Sequence, residues 1–150
     1  MYKVAVLMAT YNGERYLEEQ LQSILAQQGV ELTIWVRDDG STDSTHQILD
    51  AWKEKGCLDW YTGSSLGPAH SFMDLLQTVP DADFYAFSDQ DDYWLPGKLQ
   101  VAVSCLTSAH ERGEECLYFC QTQLVDKELN FLPSPQLNLR QTFAEALIYQ

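Results

Sequence analysis

Two clusters of carboxylates have the residue types and spacing that could do chemistry in this chain. Asp89, Asp91 and Asp92 fall within four consecutive positions directly after a short apolar run, and the adjacent pair Asp38 and Asp39 ends a second apolar segment. Carboxylates this close repel one another and lose hydration when buried, so a fold that gathers them at the end of a buried strand usually holds a cation there. Oxygen ligands suit Mg²⁺ or Mn²⁺, and these cations suit a diphosphate. The pattern indicates a nucleotide-dependent enzyme.

Alternating strand and helix patterns must position these carboxylates. Apolar runs predict five strands, at residues 3–10, 32–39, 59–62, 84–88 and 117–125. Apolar residues at helical spacing follow each of the first four strands. Asn12 stands where the first helix should have its N-cap, and Pro96 opens the fourth helix. A turn-rich tail at 127–138 and a last helix at 142–149 complete the prediction.

The alternation of strands and helices with short connections is typical of an α/β fold. It predicts an open, mostly parallel, Rossmann-like sheet with helices on both faces. In such sheets ligands bind at the carboxyl ends of the strands, near the point where the strand order reverses. The candidate groups all fall at such ends, in the segments 10–13, 38–40, 67–68 and 89–92. We therefore expect one site to bring these segments together.

The acidic pair after the second strand has a structural and a functional interpretation. Residues 41–44 are turn and capping types, which explains that part of the segment without a ligand. Capping does not explain two adjacent carboxylates directly after a buried strand. A carboxylate there could accept a hydrogen bond from the imide N–H of uracil or thymine, so we predict that Asp38 or Asp39 contacts a bound nucleotide. Backbone groups and the Tyr11 ring could cradle a base or phosphate.

The acids at 89–92 could instead be solvated loop residues, but the aromatic and apolar residues at 93–95 indicate an ordered neighbourhood. Mg²⁺ usually sits on a nucleotide through one carboxylate, with waters and two phosphates completing its shell. His70 follows Gly67-Pro68 and could either reach a phosphate or be a surface or capping residue.

Composition excludes several classes of protein. A length of 150 residues suits one domain, and 9 basic against 22 acidic residues give a formal charge of −13. Such a charge repels nucleic acid and anionic lipid, so we expect neither as a partner. The six apolar residues after Lys3 are too few for a signal sequence or a membrane span. The four cysteines form no zinc-type CxxC pair, and we expect them to be reduced, structural and cytoplasmic.

Taken together, the motifs resemble family-two glycosyltransferases of the GT-A fold. The matching segments are Met8-Ala9-Thr10-Tyr11-Asn12-Gly13, Asp38-Asp39-Gly40-Ser41-Thr42-Asp43, Gly67-Pro68 with Phe72 following, and the run from Ser88-Asp89-Gln90-Asp91-Asp92-Tyr93 through Trp94 to Leu99. The last run is most similar to the rhamnosyltransferase-type branch, which builds bacterial surface polysaccharides. Where the family often has asparagines around the Gly67 segment, this chain has Ser65 and His70-Ser71.

The resemblance implies roles for individual residues. The expected nucleotide ligands are Ala9, Thr10, Tyr11, Asp38, Asp39 and Asp89, with Asp89 beside the ribose. The expected ligand of Mn²⁺ or Mg²⁺ is Asp91, with Asp92 as the second choice. The resemblance implies an inverting, metal-assisted transfer from a dTDP- or UDP-linked sugar to a glycan or lipid-linked saccharide.

The resemblance also implies a division of the chain. Residues 1–125 are expected to form the donor-binding domain, and residues 126–150 a turn-rich segment and the start of an acceptor-side region. The family's catalytic base and acceptor site lie further toward the C-terminus, so we expect the base beyond Gln150 and a fragment that binds donor without completing transfer. We expect a cytoplasmic location, at the inner face of the membrane for a full-length enzyme, with membrane association only through parts outside this chain.

Two other functions compete with this interpretation. A phospho-receiver domain is also a small acidic α/β domain that binds Mg²⁺, but it would need its acid pair after the first strand and a lysine after the fifth. Here the acids follow the second and fourth strands, and Lys127 comes late. A nucleotidyltransferase would need a glycine-rich basic loop after the first strand, which residues 10–15 match poorly.

Overall fold

Four strands alternate with four helices in the computed structural model, which describes residues 1–65, 67–126 and 130–132. The elements are β1 Lys3–Thr10, α1 Leu17–Leu25, β2 Glu31–Asp38, α2 Thr45–Glu54, β3 Asp59–Thr62, α3 Pro68–Thr78, β4 Phe84–Ser88 and α4 Lys98–Glu111. The chain divides into two compact units, Met1–Ser104 and Cys105–Gln150. The sheet and the candidate site lie in the first unit.

The four strands form one parallel sheet in the order β3-β2-β1-β4. This is the first part of the 3-2-1-4-5-6 order of dinucleotide-binding sheets, and it differs from the 2-1-3-4-5 order of receiver-type folds. The chain moves outward from β1 through β2 to β3 and then returns to the other side of β1. The strand order therefore reverses between β1 and β4, and a ligand crevice is expected at their carboxyl ends. The prediction of an α/β fold with an open parallel sheet is confirmed.

Strand β1 is the centre of the core because both of its faces are covered. Val4, Val6 and Met8 pack on the face that carries α1, α2 and α4, and Ala5 and Leu7 pack on the face that carries α3. All five side chains are at most 2% exposed. A strand buried on both faces is a rigid base for the loop that follows it.

The first helix does not begin at Asn12 as predicted. Asn12 has a φ of 49°, in the left-handed region, and α1 starts five residues later at Leu17. The Asn12 side-chain oxygen accepts a hydrogen bond from the Thr42 N–H at 2.8 Å, and the Asn12 N–H donates to the Ser41 hydroxyl at 2.8 Å. Asn12 therefore joins the β1–α1 loop to the β2–α2 loop, and it does not cap a helix.

The predicted fifth strand at 117–125 is also wrong. Residues 114–124 have no regular structure, and the only pairing found here in the described part of the chain is an isolated bridge between Val125 and Phe131. Cys105 and Cys120 are exposed, and all four cysteines are free. The predicted tail at 127–138 falls mostly outside the described residues, and the predicted helix at 142–149 lies wholly outside them.

Candidate functional site

A pocket lies at the carboxyl end of the sheet, over the point where the strand order reverses. Its walls come from the end of β1, the residue after β2, the start of α3 and the loop after β4. The lining residues are Ala9, Thr10, Tyr11, Asp39, Pro68, Asp89, Gln90 and Asp91. Segments from four parts of the sequence thus meet at one edge of the sheet.

Gln90 fastens the loop after β4 to the loop after β1. Its side-chain oxygen accepts hydrogen bonds from the Thr10 hydroxyl at 2.5 Å and the Tyr11 N–H at 2.9 Å, and its amide group donates to the Tyr11 carbonyl at 3.1 Å. The contact needs a glycine at position 13, because a Cβ there would lie 2.9 Å from the Thr10 hydroxyl oxygen and collide with the Gln90 amide. The amide therefore sets the spacing of the two loops that bound the pocket.

Asp39 reaches the pocket with its carboxylate already held. One carboxylate oxygen pairs with the Arg37 guanidinium, and the other accepts the Ser71 hydroxyl at 2.6 Å. The Asp39 side chain is 11% exposed and that of Arg37 is 3% exposed, so the ion pair is formed out of water. Such a buried pair persists only when further hydrogen bonds satisfy both groups.

Asp38 does not reach the pocket, although it was predicted as a nucleotide ligand. Its carboxylate is fully buried and accepts hydrogen bonds from the Gly40 N–H at 3.0 Å, the Ser41 N–H at 2.9 Å and the Ser41 hydroxyl at 2.5 Å, with His46 Nε2 2.6 Å away. Burial alone would raise the pKa of Asp38, but these hydrogen bonds outweigh it and hold the pKa below its usual value. Asp38 shapes the turn that follows β2.

The loops after β1 and β2 are joined along their length. Beyond the Asn12 contacts, the Gly13 N–H donates to the Thr45 hydroxyl at 2.8 Å, and the Glu14 N–H donates to Asp43 at 3.1 Å. Backbone donors at the start of this region are therefore already satisfied by side chains of the neighbouring loop.

Asp89, Asp91 and Asp92 form an acidic loop after β4, the loop at residues 89–92. Desolvation raises the pKa of Asp89, and the charge of Asp91 raises it further. Desolvation likewise raises the pKa of Asp92, with Asp89 and Asp91 adding to the effect and Lys98 opposing it. Asp91 lines the pocket and Asp92 does not. Burial and the repulsion between neighbouring carboxylates therefore both disfavour the ionised forms of Asp89 and Asp92.

The carboxylate oxygens of the pocket suit a hard cation whose coordination shell is completed by phosphate oxygens and water. Within the described residues no three His, Cys, Asp or Glu side chains converge on one point. Among the described residues, those that line the pocket nevertheless offer the carboxylates of Asp39, Asp89 and Asp91 and include no basic side chain. Oxygen-only donors suit Mg²⁺ or Mn²⁺, which commonly take one or two carboxylates and fill the remaining positions with phosphates and water.

Three polar residues of the site were not predicted as site residues. The sequence gives little reason to select them. Gln90 lies between two aspartates that are themselves stronger candidates, Arg37 lies at the end of an apolar strand pattern, and Ser71 is one polar residue on an amphipathic helix. The one usable signal was Arg37, since an arginine within a buried strand must find partners. His70 is exposed in the first turn of α3 and does not line the pocket.

Comparison with protein families identifies the part of the chain that contains this pocket. Residues 5–114 match the family model described as Glycosyl transferase family 2. The chain belongs to glycosyl transferase family 2. The matched range includes all four pocket segments, and the resemblance drawn from the motifs is confirmed. The described residues contain no helix long and apolar enough to cross a membrane.

Two relatives of this family 2 chain show the range of sugars in similar proteins. The chain is 37% identical to the dTDP-rhamnosyl transferase RfbG of Shigella flexneri over 109 residues, which is 66% of this chain and 36% of that protein. It is 32% identical to the poly(ribitol-phosphate) beta-N-acetylglucosaminyltransferase TarS of Staphylococcus aureus over 114 residues, which is 73% of this chain and 20% of that protein. The chain thus spans about a third of the length of the first relative.

Solved structures share the fold of this family 2 chain. TarS 1-349 of S. aureus in complex with UDP-GlcNAc superposes with a TM-score of 0.64 at 32% identity, covering 72% of this chain and 32% of that one. A mannosyltransferase of Pyrobaculum calidifontis in complex with GDP-Man and Mn²⁺ superposes with a TM-score of 0.63 at 28% identity, covering 69% of this chain and 32% of that one.

Proposed function

We propose that this chain is the donor-binding part of an inverting glycosyltransferase that uses a nucleoside-diphosphate sugar and a divalent cation. The observation that supports this most is the pocket over the β1–β4 reversal point, which is lined by the carboxylates of Asp39, Asp89 and Asp91 and bounded by two loops that the Gln90 side chain joins. Family 2 membership supports the reaction class. The acceptor we propose is a glycan or lipid-linked saccharide of a surface polysaccharide.

The lining residues have proposed roles on the donor. Ala9, Thr10 and Tyr11 would border the nucleoside, and Asp39 would accept the imide N–H of its base. Asp89 would lie beside the ribose. A carboxylate is an acceptor only, so Asp39 would favour uracil or thymine, which present a donor at this position, over cytosine, which presents an acceptor.

The donor sugar is proposed from the relatives. RfbG is named a dTDP-rhamnosyl transferase, which favours dTDP-rhamnose. The TarS structure with UDP-GlcNAc favours a UDP-sugar instead. Both nucleotides carry the imide group that Asp39 would recognise, so the pocket residues are compatible with either.

A divalent cation is proposed at Asp91, with Asp92 as the further candidate. The Mn²⁺ in the mannosyltransferase complex supports a metal in this fold. When bound, such a cation would act as a Lewis acid and stabilise the departing diphosphate. Asp91 would hold it at the pocket wall, and Asp89 would raise the local negative potential that attracts it.

The proposed transfer is a single displacement at the anomeric carbon. The acceptor oxygen forms a bond to that carbon as the bond to the diphosphate breaks, and a base takes the hydroxyl proton. A single in-line displacement inverts the configuration. We assign no base among the described residues, so the proposed role of this part of the protein is to bind and orient the donor.

Calorimetry of UDP and dTDP binding, each with Mn²⁺ and with EDTA, tests the proposal. We expect metal-dependent binding of at least one nucleotide, with the tighter one indicating the donor class. Asp91→Asn keeps the size of the side chain and removes its charge, so we expect it to weaken binding in Mn²⁺ by about tenfold or more. In EDTA the variant should bind no more weakly than the wild type, because without a cation the charge of Asp91 only repels the diphosphate.

Asp81→Asn is the matched control, since Asp81 is an exposed aspartate before β4 and thus at the opposite end of the strand. It should bind like the wild type. A folded wild-type chain that binds neither nucleotide would contradict the proposed function. Equal metal dependence in Asp91→Asn and wild type would contradict the metal assignment alone.

A further inference from the structure

We propose that Arg37 is a positioning residue that fixes the Asp39 carboxylate and thereby sets the base selectivity of the pocket, although Arg37 does not line it. The inference rests on the proposed function, because it concerns how Asp39 recognises a nucleobase. Arg37 lies inside β2, two residues before Asp39. Its side chain is 3% exposed, and it is absent from the pocket walls.

The guanidinium uses four of its N–H groups on four different partners. Nη1 contacts the Asp39 carboxylate and donates to the Ser71 hydroxyl at 2.7 Å. Nε donates to the Asp74 carboxylate at 2.9 Å, and Nη2 donates to the Ser64 carbonyl at 2.8 Å. A planar guanidinium held on three sides cannot rotate, so its carboxylate partner is fixed in direction as well as in charge.

Ser71 and Asp74 hold the pair from α3. The Ser71 hydroxyl accepts from Arg37 and lies 2.6 Å from the second Asp39 oxygen, so the two Asp39 oxygens are held by two different elements. Asp74 accepts the Tyr61 hydroxyl at 2.7 Å, which ties β3 into the same network. Desolvation and this hydrogen bond raise the pKa of Tyr61, which therefore stays a neutral donor.

The close packing around the guanidinium shows that the arrangement is built into the chain. A Cβ at Gly63 would collide with the Arg37 guanidinium, so a larger residue there would push the guanidinium away from its partners. The same guanidinium binds the carbonyl of Ser64, the next residue. Arg37 thus positions both the carboxylate on one side of the pocket and the loop that leads into α3.

The consequence for the pocket is a fixed acceptor. Each Asp39 oxygen has one partner and keeps one lone pair. A carboxylate fixed in this direction accepts the imide N–H of uracil or thymine and repels the unprotonated ring nitrogen of cytosine. Without Arg37 the carboxylate could turn away from this position, and the pocket would then distinguish the two bases less well.

The test compares UDP and CDP affinities in Mn²⁺ by calorimetry for the wild type, Arg37→Gln and Ser71→Ala. We expect Arg37→Gln to weaken UDP binding by about tenfold or more while CDP affinity changes little, so that the ratio of the two Kd values approaches one. Ser71→Ala removes the hydroxyl that contacts Arg37, Asp39 and the Gly67 carbonyl and changes the packing volume only slightly, and it should lower the ratio by several-fold. The matched controls are Arg112→Gln and Ser104→Ala, an exposed arginine and an exposed helical serine.

Melting temperatures separate positioning from simple stabilisation. A purely structural Arg37 would lower the melting temperature and leave the UDP-to-CDP ratio of the folded fraction unchanged, and that result would overturn the inference. If Arg37→Gln fails to fold, an unchanged ratio in Ser71→Ala overturns it equally. Wild-type chain that binds neither nucleotide contradicts the proposed function as a whole, whereas wild-type selectivity that survives in both variants contradicts only this inference.

Discussion

The Gln90 amide joins two loops whose residues are 79 positions apart in the sequence. Its amide oxygen accepts hydrogen bonds from the Tyr11 N–H and the Thr10 hydroxyl, and its amide nitrogen donates to the Tyr11 carbonyl. An amide suits this position between two aspartates because it carries no charge to add to theirs, and it can donate and accept at once. The carboxylates of the pocket are therefore spaced by a neutral residue.

A double-mutant cycle tests whether this clamp matters for the nucleotide. Gly13→Ala should weaken UDP binding in Mn²⁺ by several-fold, because the new Cβ displaces the Gln90 amide. Gln90→Ala should weaken it similarly by losing the clamp. In the Gln90→Ala background the Gly13→Ala change should cost almost nothing, since the atoms it would strike are mostly gone. Additive losses in the cycle would show that the two residues act separately.

At the scale of single residues, the sequence predicted the charged residues of the pocket better than the hydrogen bonds that position them. Asp39, Asp89 and Asp91 could be singled out because adjacent acids after a buried strand need an explanation. Asp38 looked equivalent to Asp39, yet a one-residue step along a strand turns a side chain to the other face. Gln90 and Ser71 could not be found, since their roles depend on partners that are distant in sequence.

The element that most directly supports the pocket is the turn between β2 and α2. Asp38 closes this turn with three hydrogen bonds to Gly40 and Ser41, and it contacts His46 of α2. Asn12 of the β1–α1 loop makes hydrogen bonds to Ser41 and Thr42 of this turn. Buried carboxylates in such arrangements stabilise a fold only while they are ionised.

Asp38→Asn should therefore destabilise the chain in a pH-dependent way. The pKa of Asp38 is lower in the folded state, so its contribution is present above the unfolded value of about 4 and is lost as the pH falls through the folded value. We expect a loss of about 2 kcal/mol in the free energy of unfolding near pH 7, because the new amide group would face N–H donors. Urea denaturation of both proteins measures it.

The difference between the two proteins should shrink at pH values below about 3. Asp50→Asn is the control, since Asp50 is an exposed aspartate of α2 that accepts one hydrogen bond from Trp60 at 3.1 Å. It should change the stability by less than about 0.5 kcal/mol. A loss in Asp38→Asn that persists unchanged in acid would mean that the carboxylate charge is not what holds the turn.

The sequence predicted the bounds of three of the four strands. Strand β1 is apolar on both faces and was found with its observed bounds, as were β3 and β4. The segment 117–125 has a similar apolar content, but a strand also needs a partner for its backbone hydrogen bonds, and the described chain offers it only the Val125–Phe131 bridge. Asn12 failed as a cap because its side chain serves the neighbouring loop instead.

At the scale of the whole molecule, the negative charge of the chain opposes binding of a nucleoside diphosphate unless a cation is also bound. The chain has a formal charge of −13, and the pocket walls carry three carboxylates and no basic side chain within the described residues. Arg37, which does not line the pocket, neutralises the charge of Asp39. A nucleoside diphosphate would add further negative charge to this surface, so both long-range and local electrostatics oppose its approach.

Because of this repulsion, we expect the affinities for uridine, UMP and UDP to change in opposite directions with and without a divalent cation. In EDTA, affinity should fall as phosphates are added, because each brings more repulsion and no compensating contact. In Mn²⁺, affinity should rise along the same series, because the cation gains a phosphate ligand at each step while the base contacts stay the same. Asp91→Asn should flatten the rise in Mn²⁺ and also make the fall in EDTA shallower, because it removes one of the negative charges that repel the phosphates. If UDP binds more tightly than uridine in EDTA, a basic group of the chain must reach the diphosphate, and the metal would then be one of two devices for holding it.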